Sequence, residues 1–445
     1  MIARSISTSS LALALAACAG KGADSGACAS GGTGTLSLTA KHVDGQWISA
    51  PAVDVHDSSG ALAGTLTATG TLDVPGGTYT ISVRRGVAAP DQYAGSASGL
   101  LTGTVSEVCI PDGGTTDLTV DAQPQPSSAR MWGISGEDLA GYPGISDPGA
   151  TVQADAVLSF PNTNDLRGAA WDPWGNLWAI SSPTYGVRFL VVEPQDITGK
   201  GDAKVLHEVT SSALDSAQVE DLVPDAEGNL WVTVASRDDG FAGVLVYSVD
   251  DLRNSFLGTT DLTPARSWTV TGATAPSRAY FDADAGFYLS DPGTDTVFHV
   301  PAVGAISGTS PVAPADGALT PDTAFTSYTD DGTGPRGLSY PADMALDSTG
   351  LWVLYQTSGI VAHLSRSANG DVQSNFTYGL GVLALPSGLV RDGGNGMWVG
   401  NDPQTGAGDL QRFDPTDGTL SLETGLPDLP SPVQFVFDPP VPLPG

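Results

Sequence analysis

Between Thr35 and Val120 apolar residues recur at every second position. Leu36, Leu38 and Ala40 form one set, Val53 and Val55 another, then Leu72 and Val74, then Tyr79, Ile81 and Val83. A period of two puts alternate side chains on one face of an extended chain, so this stretch predicts short half-buried strands. PGG at 75–77 reads as a hairpin turn, and DGG at 112–114 reads as a second turn before another strand. About ninety residues of strands at this spacing predict a small β-sandwich over residues 34–122. QPQPSS follows and marks 123–129 as a linker.

Beyond the linker the pattern becomes a repeat. A short apolar run ends in Asp, a turn with Gly and often Asn follows, and then an aromatic-centred strand. The copies are RGAAWDPWGNLWAIS (167–181), EDLVPDAEGNLWVTV (220–234), SRAYFDADAGFYLSD (277–291), ADMALDSTGLWVLYQ (342–356) and SGLVRDGGNGMWVGN (387–401). Their anchoring acids, Asp172, Asp225, Asp282, Asp347 and Asp392, lie 45–65 residues apart, which suits a four-stranded propeller blade with variable loops. VQFVFDPP (433–440) is a sixth apolar run that lacks its aromatic strand, while MWGIS (131–135) matches LWAIS (177–181) and lacks its apolar run. The two halves predict a sixth blade closed by both ends of a propeller spanning 130–440, with 441–445 a tail. The fold class is therefore all-β, a small β-sandwich followed by a six-bladed β-propeller. Repeated Asp and Gly are expected to build the turns. The aromatics are expected to pack between blades.

Composition agrees and narrows the function. The 445 residues include 56 Gly and 32 Pro, and only seven of the 49 acidic residues are Glu. Asp, Gly and Pro favour turns over helices. The formal net charge of −31 excludes nucleic acid as a partner, because that affinity rests on Lys and Arg neutralising phosphates. No phosphate-binding glycine loop, CxxC, HExxH or GxSxG occurs.

Two families resemble parts of this chain. Ala52, Val53, Val55, Asp57 and Gly60, followed by Pro75, Gly77, Tyr79, Ile81 and Val83, are similar to the pattern of carboxypeptidase-regulatory-like and transthyretin-like domains. That resemblance implies a spacer or binding module without catalytic residues. The D-x-x-G-N-L-W-V repeat resembles NHL-repeat propellers and the gluconolactonase-like and virginiamycin B lyase-like propellers. Gluconolactonase-like enzymes hold a divalent cation with a Glu, an Asn and an Asp from different blades, and Glu220, Asn401 and Asp343 are the nearest candidates. The lyases need a His beside a Glu at the channel mouth. Here His207, His299 and His363 fall in outer-strand patterns, so lyase chemistry is not expected.

Candidate chemistry concentrates where the inner strands begin. Four residues before each anchoring Asp lies one ring of positions: Gly168, Asp221, Arg278, Asp343, Gly388 and Gln434. One residue earlier adds Arg167 and Glu220. This ring is the expected ligand-binding set, for a small-molecule, glycan or protein ligand. Asp221, Asp343 and Gln434 are hard oxygen donors that suit Ca2+, whereas Arg278 can neutralise the carboxylates itself and argues for a structural ring. No metal site or other cofactor is expected from the sequence beyond that Ca2+ alternative. The leading expectation is a binding or scaffold module, with a metal-dependent hydrolase or lactonase as the alternative.

The first residues carry an address. Leu11–Ala17 is a short apolar stretch after Arg4, too short to span a bilayer, and residues 1–17 read as a signal peptide. Leu15-Ala16-Ala17-Cys18 resembles the bacterial lipoprotein signal, which implies cleavage before Cys18, diacylation of its thiol and a membrane anchor in the cell envelope. Ala19 in place of Asp implies the outer membrane. Residues 18–33 read as a flexible tether. Cys28 and Cys109 remain; in an oxidising compartment an even pair favours a bridge, with two buried thiols as the alternative.

Overall fold

A computed structural model describes residue 28 and residues 32–438, apart from 43–52, 67–68, 88–99, 125–129, 143–152, 162, 164, 173–175, 182–185, 193–195, 198, 226–227, 256–258, 283–285, 305, 307–312, 331–333, 338, 347–349, 365–370, 379–382, 384, 393–395, 402–408, 427–428 and 430–433. The signal peptide, Cys18, Ala19 and the anchoring Asp347 lie outside the described residues. No described helix is long and apolar enough to cross a membrane.

The N-terminal strands form two layers. Thr33–His42 pairs in parallel with Thr115–Pro124 and antiparallel with Thr69–Pro75. Val53–Asp57, Leu62–Leu66, Gly77–Val87 and Leu100–Ile110 form the other layer. Leu36, Leu38, Val53, Val55, Val74, Tyr79, Ile81, Val108 and Ile110 fill the space between them. The alternating residues therefore face inward, as period two requires. The PGG segment is not a hairpin turn: the strand before it pairs with Thr33–His42 and the strand after it with Val53–Asp57. It carries the chain from one layer to the other, with Gly76 N–H donating to Gly32 O. The last sandwich strand continues to Pro124, into the segment read as linker. Cys28 and Cys109 are joined, with Cα atoms 5.9 Å apart.

The remaining strands form six sheets among the described residues. Blade 1 comprises Leu166–Trp171, Leu177–Ser181, Arg188–Val192 and Val205–Thr210. Blade 2 comprises Gln218–Pro224, Leu230–Ser236, Gly243–Tyr247 and Arg266–Val270. Blade 3 comprises Ala279–Phe281, Phe287–Asp291, Thr296–Val300 and Thr323–Phe325. Blade 4 comprises Pro341–Leu346, Leu351–Tyr355, Ile360–Leu364 and Asp371–Tyr378. Blade 5 comprises Pro386–Arg391, Met397–Asn401, Asp409–Phe413 and Leu420–Gly425. Blade 6 takes its inner strand from Gln434–Asp438 and its outer strands from Arg130–Ser135, Asp138–Tyr142 and Ala156–Ser159.

 The inner strand of blade 6 is thus Gln434–Asp438, and it pairs antiparallel with Arg130–Ser135, Gln434 opposite Ile134 and Val436 opposite Trp132. The six inner strands neighbour one another in a closed ring, blade 6 meeting blade 1.

The six repeat aromatics are buried, and each packs toward the next blade. Trp178 sits with Val219 and Leu222 of blade 2, Trp231 with Phe287 of blade 3, Tyr288 with Met344 of blade 4 and Trp352 with Leu389 of blade 5. Trp398 sits with Tyr142 of blade 6, and Trp132 with Trp171 of blade 1. These aromatics close the seams between sheets, where large side chains bury most area.

The anchoring acids hold the aromatics in place. Asp172 accepts from Asn176 N, Asn176 Nδ2 and Trp178 Nε1 at 2.9, 2.7 and 2.9 Å. Asp225 repeats this with Asn229 and Trp231. Blades 3 and 5 have Gly where these have Asn, and a cation on the third strand takes over the missing contact. His299 Nε2 lies 2.9 Å from Asp282 Oδ2, and Arg412 Nε donates to Asp392 Oδ2 at 2.7 Å. In blade 4 His363 stacks on Trp352 at 4.6 Å. The glycines make this possible: a Cβ at Gly396 would meet the Arg412 guanidinium at 2.1–2.4 Å, and one at Gly350 would meet His363 Nε2 at 2.5 Å. Asn with an aliphatic neighbour (Val191, Val246) and Gly with a cation are thus two versions of one latch.

Candidate functional site

The inner strands do not enter the ring smoothly. Register shifts fall between Leu166 and Gly168, Val219 and Asp221, Pro341 and Asp343, and Pro386 and Gly388. Each is a bulge one residue before the ring position, and a bulge re-aims side chains and releases backbone groups from the ladder. Two of the released groups are the carbonyls of Arg167 and Glu220. Arg278 Nη1 donates to both, at 3.3 Å to Arg167 O and in a shorter contact to Glu220 O. One buried guanidinium from blade 3 thereby ties blades 1 and 2.

Asp221 and Asp343 do equivalent work. Asp221 Oδ1 accepts from the next residue, Leu222 N, at 2.9 Å, and Oδ2 accepts from Ala279 N of blade 3 at 3.3 Å. Asp343 Oδ1 accepts from Met344 N at 2.8 Å, and Oδ2 from Leu389 N of blade 5 at 2.8 Å. Each carboxylate therefore caps its own bulge and the inner strand of the following blade. Buried backbone donors need such partners. Arg278 Nη1 lies 3.5 Å from Asp221 Oδ1, and Gln434 Nε2 donates to the same oxygen at 2.5 Å. Gln434 belongs to blade 6, so its amide reaches past blade 1 to blade 2. Gly168, the blade 1 ring residue, has no side chain to obstruct it.

The two glycines of the ring leave no gap. A Cβ at Gly168 would meet Leu222 N at 2.5 Å, and one at Gly388 would meet Phe435 Cδ2 at 2.8 Å. They let neighbouring inner strands approach closely.

Burial dominates the electrostatics. Desolvation pushes the Asp343 carboxyl up to about 7, opposed by Arg278 and the two backbone donors and reinforced by Asp221. Asp221 is raised for the same first reason, with Arg278 opposing. Tyr280, on the inner strand of blade 3 and packed against the neighbouring blade cores, is also raised by burial. At the accessible lip Arg167 Nη2 pairs with Asp165 Oδ2 at 2.5 Å, and its Nη1 lies 3.6 Å from Glu220 Oε2. Gln218 Nε2 donates to Glu220 Oε1 at 2.6 Å.

The structure thus joins Arg167, Glu220, Asp221, Arg278, Asp343 and Gln434 in one network. Asn401 lies opposite Pro386 in blade 5, and its Oδ1 accepts from Leu385 N at 3.3 Å. Among the described residues no group of three or more His, Cys, Asp or Glu is placed to hold a metal ion. His207, His299 and His363 lie on fourth and third strands, away from the inner-strand starts. Asp165 and Gln218 were missed in the sequence. Each lies two residues before a lip residue, on the same face by the strand period, and that spacing is the signal that could have found them.

Fold and ring together define the class: an all-β protein whose propeller is closed by both ends of its domain and whose channel mouth carries a mixed-charge network. No protein-family model matches the chain, and no curated protein matches it. Solved structures with similar backbones include a protein of unknown function from Bacteroides caccae, with a TM-score of 0.46, 10% identity, and coverage of 70% of this chain and 99% of that one. The periplasmic gluconolactonase of Pseudomonas aeruginosa gives a TM-score of 0.44 at 12% identity, covering 87% and 98%. Nidogen in complex with laminin gives 0.45 at 12%, covering 69% and 98%.

Proposed function

We propose that this chain is a lipid-anchored, extracytoplasmic binding or scaffold module. Its propeller offers the channel mouth to a small-molecule, glycan or protein ligand. Cys18 carries the lipid and holds the protein to a membrane, the outer membrane by the residue that follows it. The observation that carries the non-hydrolytic reading is the use of the ring carboxylates. All four oxygens of Asp221 and Asp343 already accept backbone N–H groups, one of each pair from the next residue on the same strand and the other from the inner strand of the following blade. A hydrolytic cation needs several oxygens converging on one point with room for water. Here the oxygens diverge toward the sheets, and Arg278 occupies the position of the counter-charge.

Two measurements test this. Purified protein is assayed for bound Ca2+ and Zn2+ and screened against lactones; stoichiometric metal with turnover that Asp343→Asn abolishes would overturn the reading in favour of the gluconolactonase-type hydrolase. Cys18→Ser is expected to release the protein from membranes on fractionation, and unchanged membrane retention would remove the anchor from the proposal.

A further inference from the structure

A tyrosine stands at the rim of the channel mouth in a backbone conformation that its residue type avoids. Tyr340 directly precedes the inner strand of blade 4, Pro341–Leu346, and lies three residues before the ring residue Asp343. Its φ of 57° falls in the left-handed region, where a bulky side chain is an outlier, and the proline after it favours extended backbone instead. Two hydrogen bonds hold it there. Tyr340 N donates to Asp295 Oδ1 at 2.8 Å, and Gln356 N donates to Tyr340 O at 3.2 Å. Asp295, between the second and third strands of blade 3, has a positive φ of its own, 52°. Two left-handed residues thus brace a side chain that the fold leaves 45% exposed. Strain of this kind persists only where the surroundings over-determine it, and it gathers at positions that hold ligands.

The same position in the other blades shows what faces Tyr340. Three residues before the ring lie Asp165 in blade 1, Gln218 in blade 2, Ala275 in blade 3 and Leu385 in blade 5, none of them at a positive φ. In the closed ring of six, blade 1 lies across from blade 4 and blade 2 across from blade 5. The rim is therefore divided. Blades 1 and 2 present Asp165, Arg167 and Glu220, which pair with one another and remain 31, 34 and 16% exposed, beside the exposed Gln218. Blades 4 and 5 present Tyr340 and the half-buried Leu385. Leu385 N, like Tyr340 N, is held by a side chain, donating to Asn401 Oδ1 at 3.3 Å. A ligand spanning this mouth meets hydrogen-bonding groups on one side and an aromatic ring on the other. Hydroxyl groups match the polar half, since they donate to the carboxylates and accept from Arg167 and Gln218. An anionic ligand would meet two acids that already share one guanidinium.

We propose that the channel mouth binds a neutral saccharide, with Tyr340 as the platform for the apolar face of a sugar ring and the Asp165–Arg167–Glu220 group with Gln218 as partners for its hydroxyls. This rests on the binding-module reading and supplies the ligand class for it. A sugar ring carries both surfaces, C–H groups on its faces and hydroxyls around its edge. An exposed tyrosine offers the first a large, rigid contact at little cost in side-chain entropy. Its braced backbone fixes where that contact stands relative to the polar half, and so which hydroxyls reach it.

The test is native electrophoresis of the purified protein through gels containing a soluble β-glucan, an α-glucan, a mannan or a galactan, with the polyuronate alginate as the charged comparison. At least one neutral polymer is expected to retard the protein, and alginate is not. Tyr340→Gly should weaken that retardation at least about tenfold, as loss of a central aromatic contact does. Glycine adopts positive φ freely, so the same variant should melt close to the wild-type temperature, which separates lost binding from lost folding. Tyr340→Trp keeps an aromatic platform and should retain the retardation. Gln218→Ala, across the mouth, should weaken it about two- to ten-fold. Retardation by none of the neutral polymers, retardation by alginate alone, or equal retardation of wild type and Tyr340→Gly would overturn the inference. Each of these results would leave the binding-module reading standing, since that falls only on metal-dependent turnover.

Discussion

Asp343→Asn should flatten part of the pH dependence of stability. In the unfolded chain this carboxyl ionises at its ordinary value of 3.8, whereas in the folded protein burial holds it protonated to about 7. Between those values the folded state carries one proton more than the unfolded state. Stability therefore falls as pH rises, by about 1.4 kcal/mol per pH unit, or about 4 kcal/mol across the window. The loss is complete above about 7. Asp221 shares Arg278 and is raised in the same direction, so the two titrate as a coupled pair and the measured midpoint belongs to both. Asn cannot ionise, and it keeps one acceptor for the two N–H groups that Asp343 serves. Its replacement adds an offset of about 1–3 kcal/mol that does not vary with pH. The assay is urea denaturation followed by the fluorescence of the nine tryptophans, at pH 4 to 8.5, for both proteins. Wild type should lead at pH 4, and its advantage should shrink steadily and disappear or reverse by pH 8. An advantage that is constant or grows with pH would refute the placement of Asp343 in a desolvated site.

Three further outcomes are expected. His299 faces Asp282 and Asp322 through its two ring nitrogens, at 2.9 and 2.7 Å, and only the doubly protonated ring can donate to both. Its pKa is raised chiefly by the Asp282 contact, so its contribution is full below 6.5 and is lost as pH rises through the raised value; His299→Phe should lose that trend in the same urea series. In blade 5, Gly396→Asn alone should cost about 1–3 kcal/mol by colliding with Arg412, and adding Arg412→Val should restore most of it by converting the latch to the blade 1 form; a double-mutant cycle with no coupling would refute the equivalence. Truncation after Leu429 removes the inner strand of blade 6 and should unfold or aggregate residues 130–429 as a unit, read by the same melt; an unchanged melting temperature would show that the strand does not close the ring.

The blade count and its closure were legible because each blade repeats a local need. The turn needs an acceptor, the seam needs an aromatic, and both recur at fixed spacing. The hairpin reading of PGG failed because a turn motif specifies a reversal of direction and not which strand lies beside the next; Thr69–Pro75 found its partner in Thr33–His42 across the sandwich. In the ring, the residues were legible and their tasks were not. Asp221 and Asp343 looked like ligands or salt-bridge partners, and their main contacts are to N–H groups of the next blade. Those donors belong to Ala279 and Leu389, whose side chains carry no polar signal, and they need caps because bulges interrupt the adjoining ladders. Likewise the third-strand cations could be read only by setting the Gly at one repeat position beside the His or Arg on the third strand.

The pairing of Gln434–Asp438 with Arg130–Ser135 also sets a timetable. Every other blade can assemble from contiguous chain, but this contact joins segments about three hundred residues apart. Its closure entropy grows slowly with length, yet it must be met in one step and with the whole ring in register. A chain made from its N-terminus therefore carries an open, edge-exposed arc of blades until its final strand arrives. Premature stops and C-terminal clipping would leave that arc permanently open, so the last few residues of the domain act as a completeness check on the entire polypeptide.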